Sequence, residues 1–184
     1  MTDVPDLPEQ DRCLTRRIAL WDSAFARRVL PLVESAAEHT KLWWGIAVGM
    51  AAVGGYRGRK AAIAGLASMA AAELVSNAVC KPLYERRRPP QRLIPHEDVH
   101  ERPDSSSFPS GHTAAAVGFT AAVAGTWPWM GALCSVPAVM VATERIHRGA
   151  HYPSDVAAGA AIGLAGACLV HHAPCLLLRR LLPG

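Results

Sequence analysis

The sequence predicts an all-α protein: an integral membrane helical bundle of about five transmembrane helices, preceded by an N-terminal amphipathic helix at the interface. Charged residues are nearly absent from 42–56, 61–80, 111–143 and 156–178, and they crowd into 1–41, 57–60, 81–108 and 144–155. About 20 apolar residues suffice for a helix to cross a bilayer, so the uncharged blocks read as spans and the charged ones as connections. The spans are rich in Ala and Gly and carry no polar stripe at the helical period, unlike the helices of a soluble bundle. The hydrophobic fraction of 51% decides nothing alone, since soluble domains approach it. At 184 residues the chain makes one domain, 1–184, with 1–41 as the amphipathic region and 42–184 as the bundle.

Residues 1–10, with two prolines and several carboxyl groups, form a loose lead-in. From Asp11 to Glu38, Leu14, Ile18, Trp21, Phe25, Val29 and Leu32 recur every three or four residues while Arg16, Arg17, Arg27 and Arg28 take other positions. That spacing predicts one helix, bent at Pro31, with an apolar and a cationic face suited to the headgroup layer. The first span covers 42–56, opened by Trp43 and Trp44 at interfacial depth, with Gly45 and Gly49 as a small-xxx-small contact. A turn at 57–60 leads to the second span, 61–80, where Glu73, Asn77 and Lys81 fall four apart on one face. A carboxyl group inside a span is costly unless partnered, which marks Glu73 as a support for a site or a structural hydrogen bond.

Residues 82–108, with five prolines and five arginines, form a loop on one side. The third span runs from 109 to 126, Trp127-Pro128-Trp129 turns, 130–143 returns, and 155–178 makes the last span, with Gly159 and Gly163 repeating the close-packing spacing and Arg179 and Arg180 stopping it. The first 20 residues lack a continuous apolar core, so no cleavable signal peptide is expected. Five scattered cysteines show no metal-ligand spacing. The net charge of +4 comes from basic residues at span ends, not interleaved with aromatics, which favours anionic lipid over nucleic acid as partner.

Three polar clusters carry the chemistry: Lys81 to Pro89, Phe108-Pro109-Ser110-Gly111-His112, and Arg145 to Asp155. They offer fixed cations for an anion, two histidines for proton and phosphoryl transfer, and a carboxylate four residues after the second histidine. Alternating spans bring all three to one membrane face. In order and spacing they resemble the signature motifs of the type 2 phosphatidic acid phosphatase superfamily, whose soluble relatives include vanadium haloperoxidases. One position departs: Glu144 stands before the arginine, where the family usually has Ser.

The resemblance implies that Lys81, Arg88 and Arg145 surround a phosphate, with Ser110 and the Gly111 backbone N–H at a helix start that favours anions. It implies His151 as nucleophile forming a phosphohistidine, Asp155 as the group holding its ring, and His112 as the acid for the leaving oxygen and then the base for water. No metal or other cofactor is required, because protein cations stabilise the transition state. Arg86, Arg87, Arg92 and Arg102 read as interface anchors, His147 and Arg148 as rim residues, and His39, His96, His100, His171 and His172 take no role.

The expected activity is metal-independent hydrolysis of a lipid phosphomonoester or diphosphate, polyprenyl-linked or glycerophospholipid, in the cell membrane. The Ala/Gly/Arg-rich composition and compact size resemble actinobacterial members of the family, and a site on the cytoplasmic face suits action on decaprenylphosphoryl-phosphoribose. Undecaprenyl diphosphate and phosphatidylglycerophosphate are the alternative substrates. Haloperoxidase chemistry, or a non-catalytic lipid-binding role, is the alternative of another class. Under five spans, 14 of the 19 Lys and Arg residues lie on the cluster face and 5 on the other, which turns the clusters to the cytoplasm. Oligomeric state leaves no trace in the sequence.

Overall fold

The computed structural model describes residues 9–94 and 105–181, without the side chains of His39 and of 173–181. The lead-in at 1–8, His96, His100, Arg102 and the side chains of Arg179 and Arg180 lie outside that description. The described residues are all-α, with no strand. The helices are α1 (Glu9–Ala19), α2 (Ala24–Arg28), α3 (Leu30–Ala37), α4 (Lys41–Val53), α5 (Gly55–Leu74), α6 (Lys81–Leu83), α7 (Gly111–Thr126), α8 (Pro128–His147) and α9 (Pro153–Leu181).

The N-terminal region is not one bent helix. Ser23 accepts the Ala26 N–H at 3.0 Å and starts α2 afresh, and Pro31 falls in the first turn of α3, where a missing N–H costs nothing. The inward face is made of Asp11, Thr15, Ala19, Ala26, Leu30 and Ala37, whereas Leu14, Trp21, Phe25 and Leu32 point outward. The apolar stripe thus faces away from the bundle, as an interfacial helix requires.

α7 is the central helix, packed on α5, α8 and α9, while α4 packs on α5. Its inner surface is almost all Ala, Gly and Phe119, which lets neighbouring backbones approach. The approach is close against α9: a Cβ on Gly159 would fall 2.4 Å from the Ser110 carbonyl oxygen, and one on Gly163 2.6 Å from that of Ala114. Gly45 and Gly49 differ from expectation, since nothing lies within 4 Å of a Cβ placed on either. Trp43 does too: it is buried against Phe119, with ring centroids 5.3 Å apart, and only Trp44 faces outward. Ala47 and Met50, four and seven residues on from Trp43, are buried with it on one stripe.

α4 has 13 residues, about 20 Å at 1.5 Å each, and ends at a Gly54-Gly55 turn in which Gly55 has φ +55°. The expected turn at 57–60 therefore lies inside α5, where the Arg57 guanidinium donates to the last carbonyl of α7, Thr126, at 3.0 Å. Among the described residues two stretches, Gly55–Leu83 and Pro153–His172, are long and apolar enough to cross a bilayer. The first includes a π-helical turn, Val75–Cys80, in which the Lys81 N–H reaches back five residues to Ser76. Such widened turns re-aim the side chains that follow, here Lys81.

Candidate active site

The three clusters meet at one end of the bundle. Lys81 after the π turn, Arg88 in the following extended segment, Gly111 and His112 in the first turn of α7, Arg145 in the last turn of α8, and His151 in the α8–α9 connection all line one cavity of about 610 Å³. Glu73 and Asn77 line it as well, so the predicted face of the second span does look onto the clusters. Ser110 and Asp155 lie just behind the wall, both fully buried. Ser110 caps α7, with its Oγ 3.0 Å from Thr113 Oγ1, and its N–H donates to the Asp155 carbonyl at 3.0 Å, tying the start of α7 to that of α9. A Cβ on Gly111 would meet the Asn77 amide oxygen at 3.1 Å, a tight contact that the Asn77 side chain would have to yield to.

His151 is 4% exposed, and its Nδ1 lies 2.6 Å from the Ser107 carbonyl oxygen. A carbonyl only accepts, so Nδ1 carries the proton and Nε2 keeps its lone pair. Asp155 was expected to hold this ring, but its Oδ2 is 3.9 Å from Nδ1 and instead accepts the Tyr152 N–H at 2.8 Å. The ring's direct partner is a backbone carbonyl, which no side-chain motif reveals. Burial, and then the nearby Arg88 guanidinium, push the His151 imidazolium well below its ordinary value of 6.5; the Ser107 carbonyl opposes this without cancelling it.

Neutral His151 implies a pH dependence. Below pH 6.5 the unfolded chain binds a proton at this position and the native site does not. Stability is therefore full above about 6.5 and declines, by up to about 1.4 kcal/mol per pH unit, as pH falls towards the depressed native value. Thermal unfolding in detergent between pH 7.5 and 5 should show that slope, and His151→Gln should make it shallower. An unchanged slope in the variant would mean that the imidazole titrates normally.

Arg86 overturns its reading as an interface anchor. Its side chain is 12% exposed; Nη1 donates to Asp155 and, at 2.7 Å, to Ser154 Oγ, while Nη2 donates to Asp11 at 2.8 Å. The guanidinium lies 4.5 Å from the centroid of the Tyr152 ring. Asp11 reaches in from α1 and also accepts the Ser154 N–H at 3.1 Å and its hydroxyl at 2.5 Å. Burial alone would raise the Asp11 carboxyl, but the hydrogen bonds from Ser154 and Arg86 outweigh it and hold it below the usual carboxylate range.

Arg145 is bracketed by carboxylates. Its Nε and Nη2 donate to Glu144 at 2.9 and 2.8 Å, and Nη2 also donates to Glu34 of α3, which pairs with Arg148 as well. Burial works to raise the Glu34 carboxyl, and the hydrogen bond from Glu144 with the charges of Arg145 and Arg148 holds it down. The departure at Glu144 therefore gives Arg145 a buried carboxyl oxygen to donate to where a serine would supply a hydroxyl.

Sequence reasoning missed Asp11, Glu34, Arg86 and Ser107. Arg86 had a readable signal. Residues 84–90 are extended, so alternate side chains share a side, and 86 and 88 turn inward while 85 and 87 face solvent. Glu34, a lone acid in the apolar stretch Leu30–Ala37, carried a weaker one.

The sequence profile of the PAP2 superfamily matches residues 61–175. Over 79 residues the chain is 40% identical to the lipid A 1-phosphatases of Rhizobium etli and Rhizobium johnstonii, a stretch that covers 42% of this chain and 34% and 32% of those proteins. The matched stretch thus spans about a third of the length of these curated relatives. The fold is similar to that of the transmembrane PAP2-type phosphatidylglycerolphosphate phosphatase from Bacillus subtilis, with a TM-score of 0.63 at 22% identity, covering 88% of this chain and 83% of that one.

Proposed function

The chain belongs to the PAP2 superfamily, and from that premise we propose that it is a membrane lipid phosphatase working through a phosphohistidine at His151. One observation carries the reading: three segments far apart in sequence line a single cavity with cations and two histidines, one of which has its Nδ1 proton committed to Ser107. Nε2 of His151 attacks phosphorus while the bond from phosphorus to the lipid oxygen breaks, and His112 gives that oxygen its proton. Water, deprotonated by His112, then attacks the phosphohistidine, releasing phosphate and restoring His151. Lys81, Arg88, Arg145 and the Gly111 N–H at the start of α7 stabilise the charge on the equatorial oxygens. These groups need no metal to do so.

A cavity of about 610 Å³ holds more than a phosphate, and Thr40, Glu38, Glu73 and Asn77 line it beyond the cations. These are acceptors for hydroxyl donors, which a sugar or glycerol next to the phosphate supplies and a bare polyprenyl chain does not. That favours a phosphorylated sugar on a polyprenyl carrier, such as decaprenylphosphoryl-phosphoribose, over undecaprenyl diphosphate, with phosphatidylglycerophosphate second. Purified protein in metal-free detergent buffer, assayed against these lipids and phosphatidate, should release phosphate fastest from the phosphoribose lipid. Release from none of them would end the reading.

Five spans, built on α4, α5, α7, α8 and α9, would put the cavity end on the side of α1. The excess of Lys and Arg there favours the cytoplasm. Glu85 is exposed at that end. In a Cys13→Ser background, Glu85→Cys should react with a membrane-impermeant maleimide only after cells are permeabilised; labelling of intact cells reverses the orientation.

A further inference from the structure

We propose that Asp11 and Arg86 are positioning residues for the phosphohistidine step: the N-terminal helix reaches into the site, and its carboxylate fixes the guanidinium that holds Asp155 off the His151 ring, while the Arg86 backbone pins the Ser107 peptide that orients it. This rests on the reading of His151 as nucleophile. Arg86 falls at one of the intervening positions of the first motif, to which the resemblance assigns no role, and Asp11 lies outside the 61–175 stretch that matches the family.

Arg86 acts at both of its ends. Its backbone carbonyl accepts the Ser107 N–H at 2.9 Å, and its own N–H donates to Ser106 Oγ at 3.1 Å. The Ser107 peptide pinned in this way offers the carbonyl that takes the His151 Nδ1 proton at 2.6 Å. The side chain holds Asp155, the nearest carboxylate to the same ring at 3.9 Å. Asp155 is fully buried, and a buried carboxylate without a counter-charge seeks a new donor. The Nδ1 proton of His151, 3.9 Å from Asp155 Oδ2, is within reach of a small rotation. By engaging Asp155, Arg86 keeps it off the imidazole and leaves Ser107 as sole director of the ring, so that Nε2 faces the cavity.

Asp11 gives this guanidinium a single pose. The fork of Arg86 is shared between two carboxylates on opposite sides, with the Tyr152 ring 4.5 Å away, and Asp11 is held in turn by the N–H and hydroxyl of Ser154. Lysine could serve only one of the two carboxylates. The rest of α1 does nothing comparable: its apolar side faces outward, and its inward face is otherwise Thr15 and Ala19.

The test uses the full chain and inorganic phosphate, so that no lipid need be known. An enzyme that forms phosphohistidine reversibly exchanges phosphate oxygen with water: Nε2 bonds to phosphorus as one oxygen departs as water, and the reverse step brings in a solvent oxygen. Loss of oxygen-18 from labelled phosphate therefore reports the step itself. Arg86→Met should lower the maximal exchange rate roughly 10²-fold, the scale of a misplaced reacting group, with half-saturating phosphate changed by less than about threefold. The isosteric Asp11→Asn, which preserves packing, should lower it roughly tenfold, and the double variant should be no slower than Arg86→Met, because both act through one contact. Methylguanidinium in the buffer should raise the rate of Arg86→Gly, a rescue that repair of packing alone does not give. Wild-type rates in both single variants, or losses that multiply in the double variant, overturn the proposal. If instead wild type and His151→Ala are equally inactive in exchange, the phosphohistidine reading fails and takes this inference with it.

Discussion

His151→Ala is expected to remove phosphate release from every lipid the wild type accepts, a fall of about 10⁴-fold or more, as when a covalent catalyst loses its nucleophile. The size follows from the surroundings of the imidazole. Burial and the Arg88 charge keep the ring neutral, and the Ser107 carbonyl fixes the proton on Nδ1, so the free base is already in its reactive tautomer before any substrate arrives. Alanine leaves the cationic wall of Lys81, Arg88 and Arg145 intact, so binding should survive while chemistry does not: kcat collapses and the affinity for substrate changes little. Quenching wild type during turnover of phosphorus-32-labelled lipid should trap an acid-labile, base-stable protein phosphate that is absent from the variant. A variant retaining more than a tenth of wild-type kcat would falsify the covalent route and leave direct attack by water, with His112 as base.

Much of this site was legible because its groups come in short runs at span ends, where a charge in an otherwise apolar chain has few reasons to be. Lys81, Arg88, His112, Arg145 and His151 announced themselves in this way, and the expected up-and-down order of the helices agrees with their lining one cavity. The partners that hold them were not legible. Asp11 meets Arg86 across 75 residues and Glu34 meets Arg145 across 111, and no local pattern encodes which acid finds which base. Ser107 contributes a carbonyl, which every residue has. The fold failed to read cleanly in the same places. Trp43 and Trp44 are chemically alike, and only packing against Phe119 decides that the first is core. The helix over 11–38 looked continuous because the period of its apolar residues is, but the caps that divide it are a Ser23 hydroxyl and a proline whose ring suits a first turn.

Arg145→Leu is expected to cost roughly 10² to 10³ in kcat/KM, the scale of losing one preorganised donor to a developing oxyanion. It should also cost stability, because the Glu144 carboxyl group, 3% exposed, is left buried without the donors it accepts from, a change worth about 1–3 kcal/mol. A fall in activity alone would therefore be ambiguous between a lost phosphate ligand and a disordered end of α8. The chain supplies its own control at Glu144. In Glu144→Ser/Arg145→Leu the unsatisfied carboxyl group is gone, and Glu34 keeps Arg148 as partner. Thermal stability should return to within a few degrees of wild type while kcat/KM stays down. If activity returns with stability, Arg145 serves to satisfy the buried Glu144 and not to grip phosphate, and the cationic end of the cavity reduces to Lys81 and Arg88. If neither returns, Glu34 also depends on Arg145, and the pairing of α3 with α8 holds that end of the bundle together. The separation of the two measurements is the discriminating result, since a ligand to the substrate and a hydrogen-bond donor to a neighbour differ in nothing else that a single substitution can reveal.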